Sequence, residues 1–427
     1  MAVRLPLAPD QPSPLPPAPP PADDRATPSL RVLAAAPHRL MFFAGASNLL
    51  LAMLWWAAWL VSVRWPHVLH LAYPPVYPGW LHAFVMQYQM LPAFFFGFLM
   101  TTFPKWTKQP DLPRSRYLPV GLALLAGQLV TLAGALGSHD ALVAGVALTL
   151  AGWLAALAAL VPMLWREEGV TWHARSCIAA LLLGVAGLLA AGAFLLGASP
   201  IWMVRAIKLG TFGLLLPVFF TVAHRMFPFF AGNIVAGYRP WRPMWLLAAF
   251  WIADGVRLAL ELWPAWRWLW LPDAALLVLG ALAWWRWWPR GPRPGLLTVL
   301  FLSMTWLPIA AGLLLADDIA FARDGVYALG RAPLHALFIG FFGSALVAMV
   351  TRVTQGHSGR PLTMPPVAWF AFVALQVVAI VRIAGERTRD PYGWLALAAL
   401  GWLVAFAPWV ARLGWIYLTP RADRRPG

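Results

Sequence analysis

The sequence predicts an all-α protein, a polytopic integral membrane bundle of about 12 transmembrane helices with both termini in the cytoplasm. Three observations predict it. Of 427 residues, 61% are hydrophobic and only 11% are charged, where a soluble domain carries about 25% charged residues. The apolar residues fall into stretches of ~20 or more, the length that crosses ~30 Å of hydrocarbon as a helix. The basic residues collect between alternate stretches, as they do on the cytoplasmic side of a membrane protein.

Residues 1–30 hold ten prolines and few large apolar groups. Such a segment buries too little surface to order itself, so 1–36 reads as a disordered, Pro-rich cytoplasmic tail. It has no apolar core of a secretory signal, and the first long apolar run, 39–63, is too long to be one. Spanning helices are then expected at roughly 39–63, 80–103, 117–137, 141–165, 174–197, 201–227, 241–262, 267–288, 295–316, 331–352, 364–384 and 392–419. They form one transmembrane domain over 37–420, followed by a short basic cytoplasmic tail, 421–427. Pro92, Pro217 and Pro308 lie inside helices, which a bundle tolerates when neighbouring groups satisfy the freed carbonyls.

Lys105, Lys108, Arg114, Arg116, Arg166, Arg225, Arg239, Arg242, Arg290, Arg293, Arg352 and Arg360 fall on the side of the N-terminus. The opposite loops hold far fewer, chiefly Arg64, Arg267, Arg323, Arg387 and Arg389. Positive residues stay inside, so this asymmetry places both ends in the cytoplasm. The runs "WPAWRWLW" (263–270) and "WWRWWPR" (284–290) fall where helices meet headgroups. The net charge of +16 therefore points to a lipid bilayer as partner and not to nucleic acid.

The one cysteine, Cys177, excludes an internal disulfide, a CxxCH haem attachment, a thiolate-ligated cluster and a CxxC redox pair. A metal would be held by His, Met, carboxylate or backbone groups. His82, at the outer start of the second helix, is followed by Met86 and Met90 at i+4 and i+8, on one helical face. His335 lies at similar depth in the tenth helix. Imidazole and thioether suit haem iron or copper, although methionine also simply fills core space. Arg205 and Lys208 near the outer start of the sixth helix either snorkel or hold haem propionates. Asp254 and Arg257 form an i,i+3 pair in the seventh helix, with Glu261 beyond; a structural salt bridge and a proton or ligand path both remain open. His67, His70 and His139 fall in outer loops, where a solvated imidazole is expected.

These residues are also where the chain resembles a known family. "HRLMFFAGASNLLLAMLWW" (38–56), "LHAFVMQYQMLPAFFFGFLMTTFPKWT" (81–107), "LPVFFTVAHRMFPFF" (216–230) and "HALFIGFFGSALVAMVTRVTQGHSGRPL" (335–362) resemble, in order, blocks of the NnrS family of bacterial inner-membrane proteins. The resemblance implies a twelve-helix protein containing haem and copper, linked to nitric oxide metabolism and nitrosative stress, with a redox partner the sequence does not identify. With no CxxCH, the haem would be b-type. His38, His82, His224, His335 and His357 match the motif positions. The better-known branch reads Trp-His-x-His-Glu-Met in the second helix; here Leu81-His82-Ala83-Phe84-Val85-Met86 keeps the first His and the Met only.

The expectation is a membrane haem protein that senses, binds or turns over nitric oxide or a related species, with His82 and His335 as ligands and Met86, Arg205 and Lys208 beside them. His38, His224 and His357, with Arg225, Arg352 and Arg360, are expected to form a second polar cluster at the inner face for a metal or an anion. A haem–copper oxidase subunit is excluded, because no adjacent His-His pair and no His-x-x-x-Tyr occur. A haem-free secondary transporter is the alternative, consistent with the helix count, the Asp254–Arg257 pair and the interrupted helices. Whether the protein is an enzyme stays open.

Overall fold

The computed structural model describes residues 27–423, so the tail expectations for 1–26 and 424–427 lie outside the described residues. Twelve long helices follow one another: α1 (Pro37–Arg64), α2 (Pro78–Trp106), α3 (Arg114–Gly134), α4 (His139–Trp165), α5 (Trp172–Leu195), α6 (Ile201–Ile234), α7 (Met244–Leu262), α8 (Trp266–Trp287), α9 (Gly295–Asp324), α10 (Ala332–His357), α11 (Pro366–Gly385) and α12 (Pro391–Leu418). Eleven are long and apolar enough to cross a membrane. The other, α7, has the length but carries Asp254, Arg257 and Glu261, which the bundle must pair internally. The chain is an all-α, multi-pass membrane protein.

The first and last described segments sit at one end of the bundle. The amide of Ser29 donates to the Leu418 carbonyl at 2.8 Å, and a 3-10 turn over Leu30–Ala35 buries Leu33. Residues 27–36 are therefore packed structure, where the sequence reading placed them in the tail. Arg39 donates to the carbonyls of Tyr417 at 3.2 Å and Thr419 at 2.8 Å, satisfying the orphan carbonyls at the end of α12. At the other chain end, Arg421 donates to the His357 carbonyl at 2.9 Å and Ala422 to that of Ser358 at 2.9 Å. The start of the basic tail is thus docked on the turn after α10.

Helices α3 and α4 approach closely through Gly127, Gly134 and Gly145, where any Cβ would strike the facing helix, the small-residue packing expected where lipid gives no hydrophobic drive. Gln89 of α2 reaches into this pair, donating to Thr131 at 2.7 Å and Thr149 at 2.9 Å. Three helices contain a π-helical turn. A π-helical turn occupies Val85–Met90 in α2, Leu209–Leu215 in α6 and Ala336–Gly343 in α10. Each widens its helix by one residue per turn and re-aims the side chains beside it.

Because the basic residues lie between alternate helices, reporter fusions after Arg116, Pro243 and Pro361 are expected to read cytoplasm, and fusions near Pro78 and Asp324 the outer side. Opposite readings at 116 and 361 would contradict this orientation.

Candidate functional site

The outer end of the bundle encloses a cavity of about 560 Å³, within the ~300–1,000 Å³ usual for small-molecule and cofactor sites. His82 from α2 and His335 from α10 both line it, joined by Met86, Met90 and Lys208. All three π-turns contribute to its wall, and Gln87 of one donates to Thr211 of another at 2.9 Å. The widened turns therefore face one space, the first two with Gln87 and Thr211 and the third with the apolar Phe338, Ile339 and Gly343.

Both imidazoles are oriented. His82 stacks on Trp56, with centroids 4.4 Å apart and planes 13° from parallel. His335 Nδ1 lies 2.9 Å from the Arg331 carbonyl. A carbonyl only accepts, so Nδ1 carries the hydrogen and Nε2 keeps its lone pair. This is the arrangement that holds a ligating histidine in one tautomer.

Cations line the same space. Lys208 is ion-paired to Glu261 at 2.8 Å, and Arg382 to Glu386 at 2.6 Å; Arg331 joins them in the wall. Arg205 does not. It lies over Trp202 at 5.1 Å and lines a neighbouring cavity of about 440 Å³ that shares only Lys208, Arg331 and two apolar residues with the first. The sequence reading missed Arg331 and Arg382. A lone arginine in the apolar run "VVAIVRIAG" was the available signal for the second, since such charges inside a span demand a partner.

At the inner end the expected three-histidine cluster divides. His38 and His357 do meet, with ring centroids 4.6 Å apart, and the buried Nδ1 of His38 has no hydrogen-bond partner. His224 pairs instead with His173, Nδ1 to Nε2 at 2.9 Å. Its own Nε2 lies 3.1 Å from the Pro243 carbonyl, so Nε2 carries the hydrogen and Nδ1 accepts from His173. His173 Nδ1 then accepts from Arg225 at 3.5 Å. Every lone pair in this chain is used, and none is left for a metal. Among the described residues, no three His, Cys, Asp or Glu side chains are grouped to hold a metal ion.

The arginines of the expected cluster also have separate tasks. Arg225 lies over Trp106 at 4.5 Å and Arg352 over Phe230 at 4.0 Å. The Arg360 amide donates to the Gln355 carbonyl at 3.0 Å, next to Gly359 in a left-handed turn. Within "TRVTQGHSGRPL", Thr351 accepts from Trp409 at 2.9 Å and Thr354 bonds Tyr417 at 2.7 Å. Helix α10 runs through His357, and the polar residues of this stretch largely anchor it to α12. His224→Ala is expected to leave bound metal unchanged while costing about 1–3 kcal/mol, because His173 and the Pro243 carbonyl lose partners. Metal analysis with thermal denaturation checks this; loss of metal at full stability would contradict it.

Of the two readings left open for Asp254 and Arg257, the salt bridge between them does not form. Arg257 donates to Asp273 of α8 and, at 2.8 Å, to Asp318 of α9, with Glu261 at 3.5 Å. These three carboxylates surround its terminal nitrogens, while its Nε and the buried Asp254 carboxyl are left with no hydrogen-bond partner. The Phe212 ring lies 4.5 Å from the guanidinium, so the network braces the back of the π-turn in α6.

A family model described as NnrS protein matches residues 32–421. No curated protein matches the chain.

Proposed function

Since the chain belongs to the NnrS family, we propose that it is a membrane protein of the bacterial inner membrane that holds b-type haem in the outer cavity and binds nitric oxide or a related small molecule there. One observation carries the reading: His82 and His335, on helices that meet only in the tertiary structure, line a single cavity. The wall chemistry fits the group. Two imidazoles would hold the haem iron, aromatic rings such as Trp56 and Phe338 would lie against the macrocycle, and Lys208, Arg331 and Arg382 would offset the desolvation of its carboxylates.

The haem iron would supply the ligand-binding and one-electron chemistry. The protein's residues do the rest. The Arg331 carbonyl keeps the His335 lone pair at Nε2, and Trp56 keeps the His82 ring in plane with itself. Glu261 and Glu386 hold Lys208 and Arg382 in place. The wall, rich in tryptophan and methionine, limits water. Copper, if the chain holds it, belongs with His38 and His357, where a buried Nδ1 lacks a partner.

Purified protein is expected to show a Soret band, and its pyridine haemochrome to report b-type haem. A protein without visible absorption would sink this reading and leave the transporter.

A further inference from the structure

A third, smaller cavity of about 60 Å³ lies below the histidine cavity. Its wall includes Phe42, Phe94, Phe219, Phe341, Ala345 and Leu346, and every other lining side chain is likewise apolar. A site of this size exceeds the ~10–15 Å³ that one water needs, but it gives water no hydrogen-bond partners, so it stays dry and suits small apolar molecules.

The two cavities are stacked along the same four helices. In α2, Leu91 lines the upper one and Phe94 the lower, a rise of about 4.5 Å at ~1.5 Å per residue. In α6 the order is Thr211 then Val218, and in α10 Gly343 then Ala345. Helix α1 runs the other way, with Phe42 lining the lower cavity and Met53 the upper. Leu346 lines both. Its side chain is therefore part of the wall between them.

The lower cavity also faces outwards. Phe219 and Val222 of α6, with Met349 and Val353 of α10, line it and are only partly buried. They stand along the inner halves of two helices long and apolar enough to span a membrane, which puts this side of the cavity at the depth of the hydrocarbon.

We propose that this apolar cavity is the membrane-side access route by which an uncharged, lipid-soluble molecule of diatomic size reaches the histidine cavity. The proposal depends on the haem reading only for what the molecule meets on arrival. A charged or strongly hydrated species has no polar group to replace its water along this path, whereas a neutral gas concentrates in the bilayer and passes from the lower cavity to the upper beside Leu346.

Xenon-pressurised crystals of the full chain are expected to show anomalous density between Phe94, Phe219 and Phe341, and Ala345→Leu is expected to remove it. In the haem-loaded protein, Ala345→Leu and Ala223→Leu, each adding carbon to the lower cavity, should keep the wild-type Soret band. Both should slow bimolecular rebinding of carbon monoxide after flash photolysis by about tenfold or more. Imidazole added from water should still bind at the wild-type rate. Absence of xenon from the wild-type cavity, or wild-type rebinding in whichever filled variants insert, would overturn the proposal. If the protein shows no Soret band, the haem reading fails and the xenon experiment alone decides the cavity.

Discussion

His82→Ala and His335→Ala are each expected to abolish or strongly shift the Soret band while the protein still inserts at normal levels. Each removes one of the two imidazoles that line the outer cavity, and the His335 hydrogen bond is internal to its own helix. His82 makes its close contact with the Trp56 ring, and His335 bonds a carbonyl one turn earlier in its own chain. Insertion should therefore survive while ligation does not. A weaker effect is expected from Met86→Leu, which keeps the side-chain volume and removes only the thioether. The measurement is the visible spectrum of each purified variant, scaled to protein. A wild-type spectrum in both histidine variants would show that the iron is held elsewhere.

Arg257→Met is expected to be the most destabilising single change in the bundle, at about 3–5 kcal/mol, the usual cost of breaking a buried ion network by removing one partner. The arginine is 3% exposed and stands against Asp273, Asp318 and Glu261. Without it, carboxylates from three helices face one another away from water. Adding Asp273→Asn and Asp318→Asn to Arg257→Met is expected to recover most of the loss, because the charges that needed the arginine are gone. Thermal denaturation of the wild type, Arg257→Met, Asp273→Asn/Asp318→Asn and the combined variant in one detergent forms the cycle that isolates the coupling. Near-additive losses would show that these groups do not act as a unit. Arg64, paired with Asp390 at the exposed outer end, provides the contrast: its replacement should cost no more than about 1 kcal/mol.

Much of the bundle was legible because the bilayer imposes a simple rule on the chain. Every span must satisfy its own backbone and keep apolar side chains towards lipid, so length and hydropathy mark the helices one at a time. Eleven helices stand on that rule alone. The twelfth, α7, was expected from its length, and its charges are tolerated only because α8 and α9 supply Asp273 and Asp318. Helix ends were less legible. Helix α10 was expected to stop near 352 and continues to His357, since Thr351 and Thr354 find partners on α12, which no local pattern announces.

His82 and His335 could be singled out from the sequence because an imidazole inside a span is costly wherever it lies, and matching depth follows from counting residues. That they share one cavity with Lys208, Arg331 and Arg382, and that Arg205 does not, depends on how α6, α10 and α11 rotate against one another. The same holds at the inner end. Depth placed His38, His224 and His357 together, but which rings meet is set by lateral position, and there His224 turns to His173 and His38 to His357. The sequence by itself determined the membrane class, the helix order, the orientation expected from the basic loops and the depth of each polar residue, because all four follow from one dimension, the position along the chain. Only the tertiary structure decided the partners, the three π-turns that open the outer cavity and the apolar cavity beneath it, because these follow from the rotation and lateral packing of helices, where side chains far apart in sequence compete for the same neighbour.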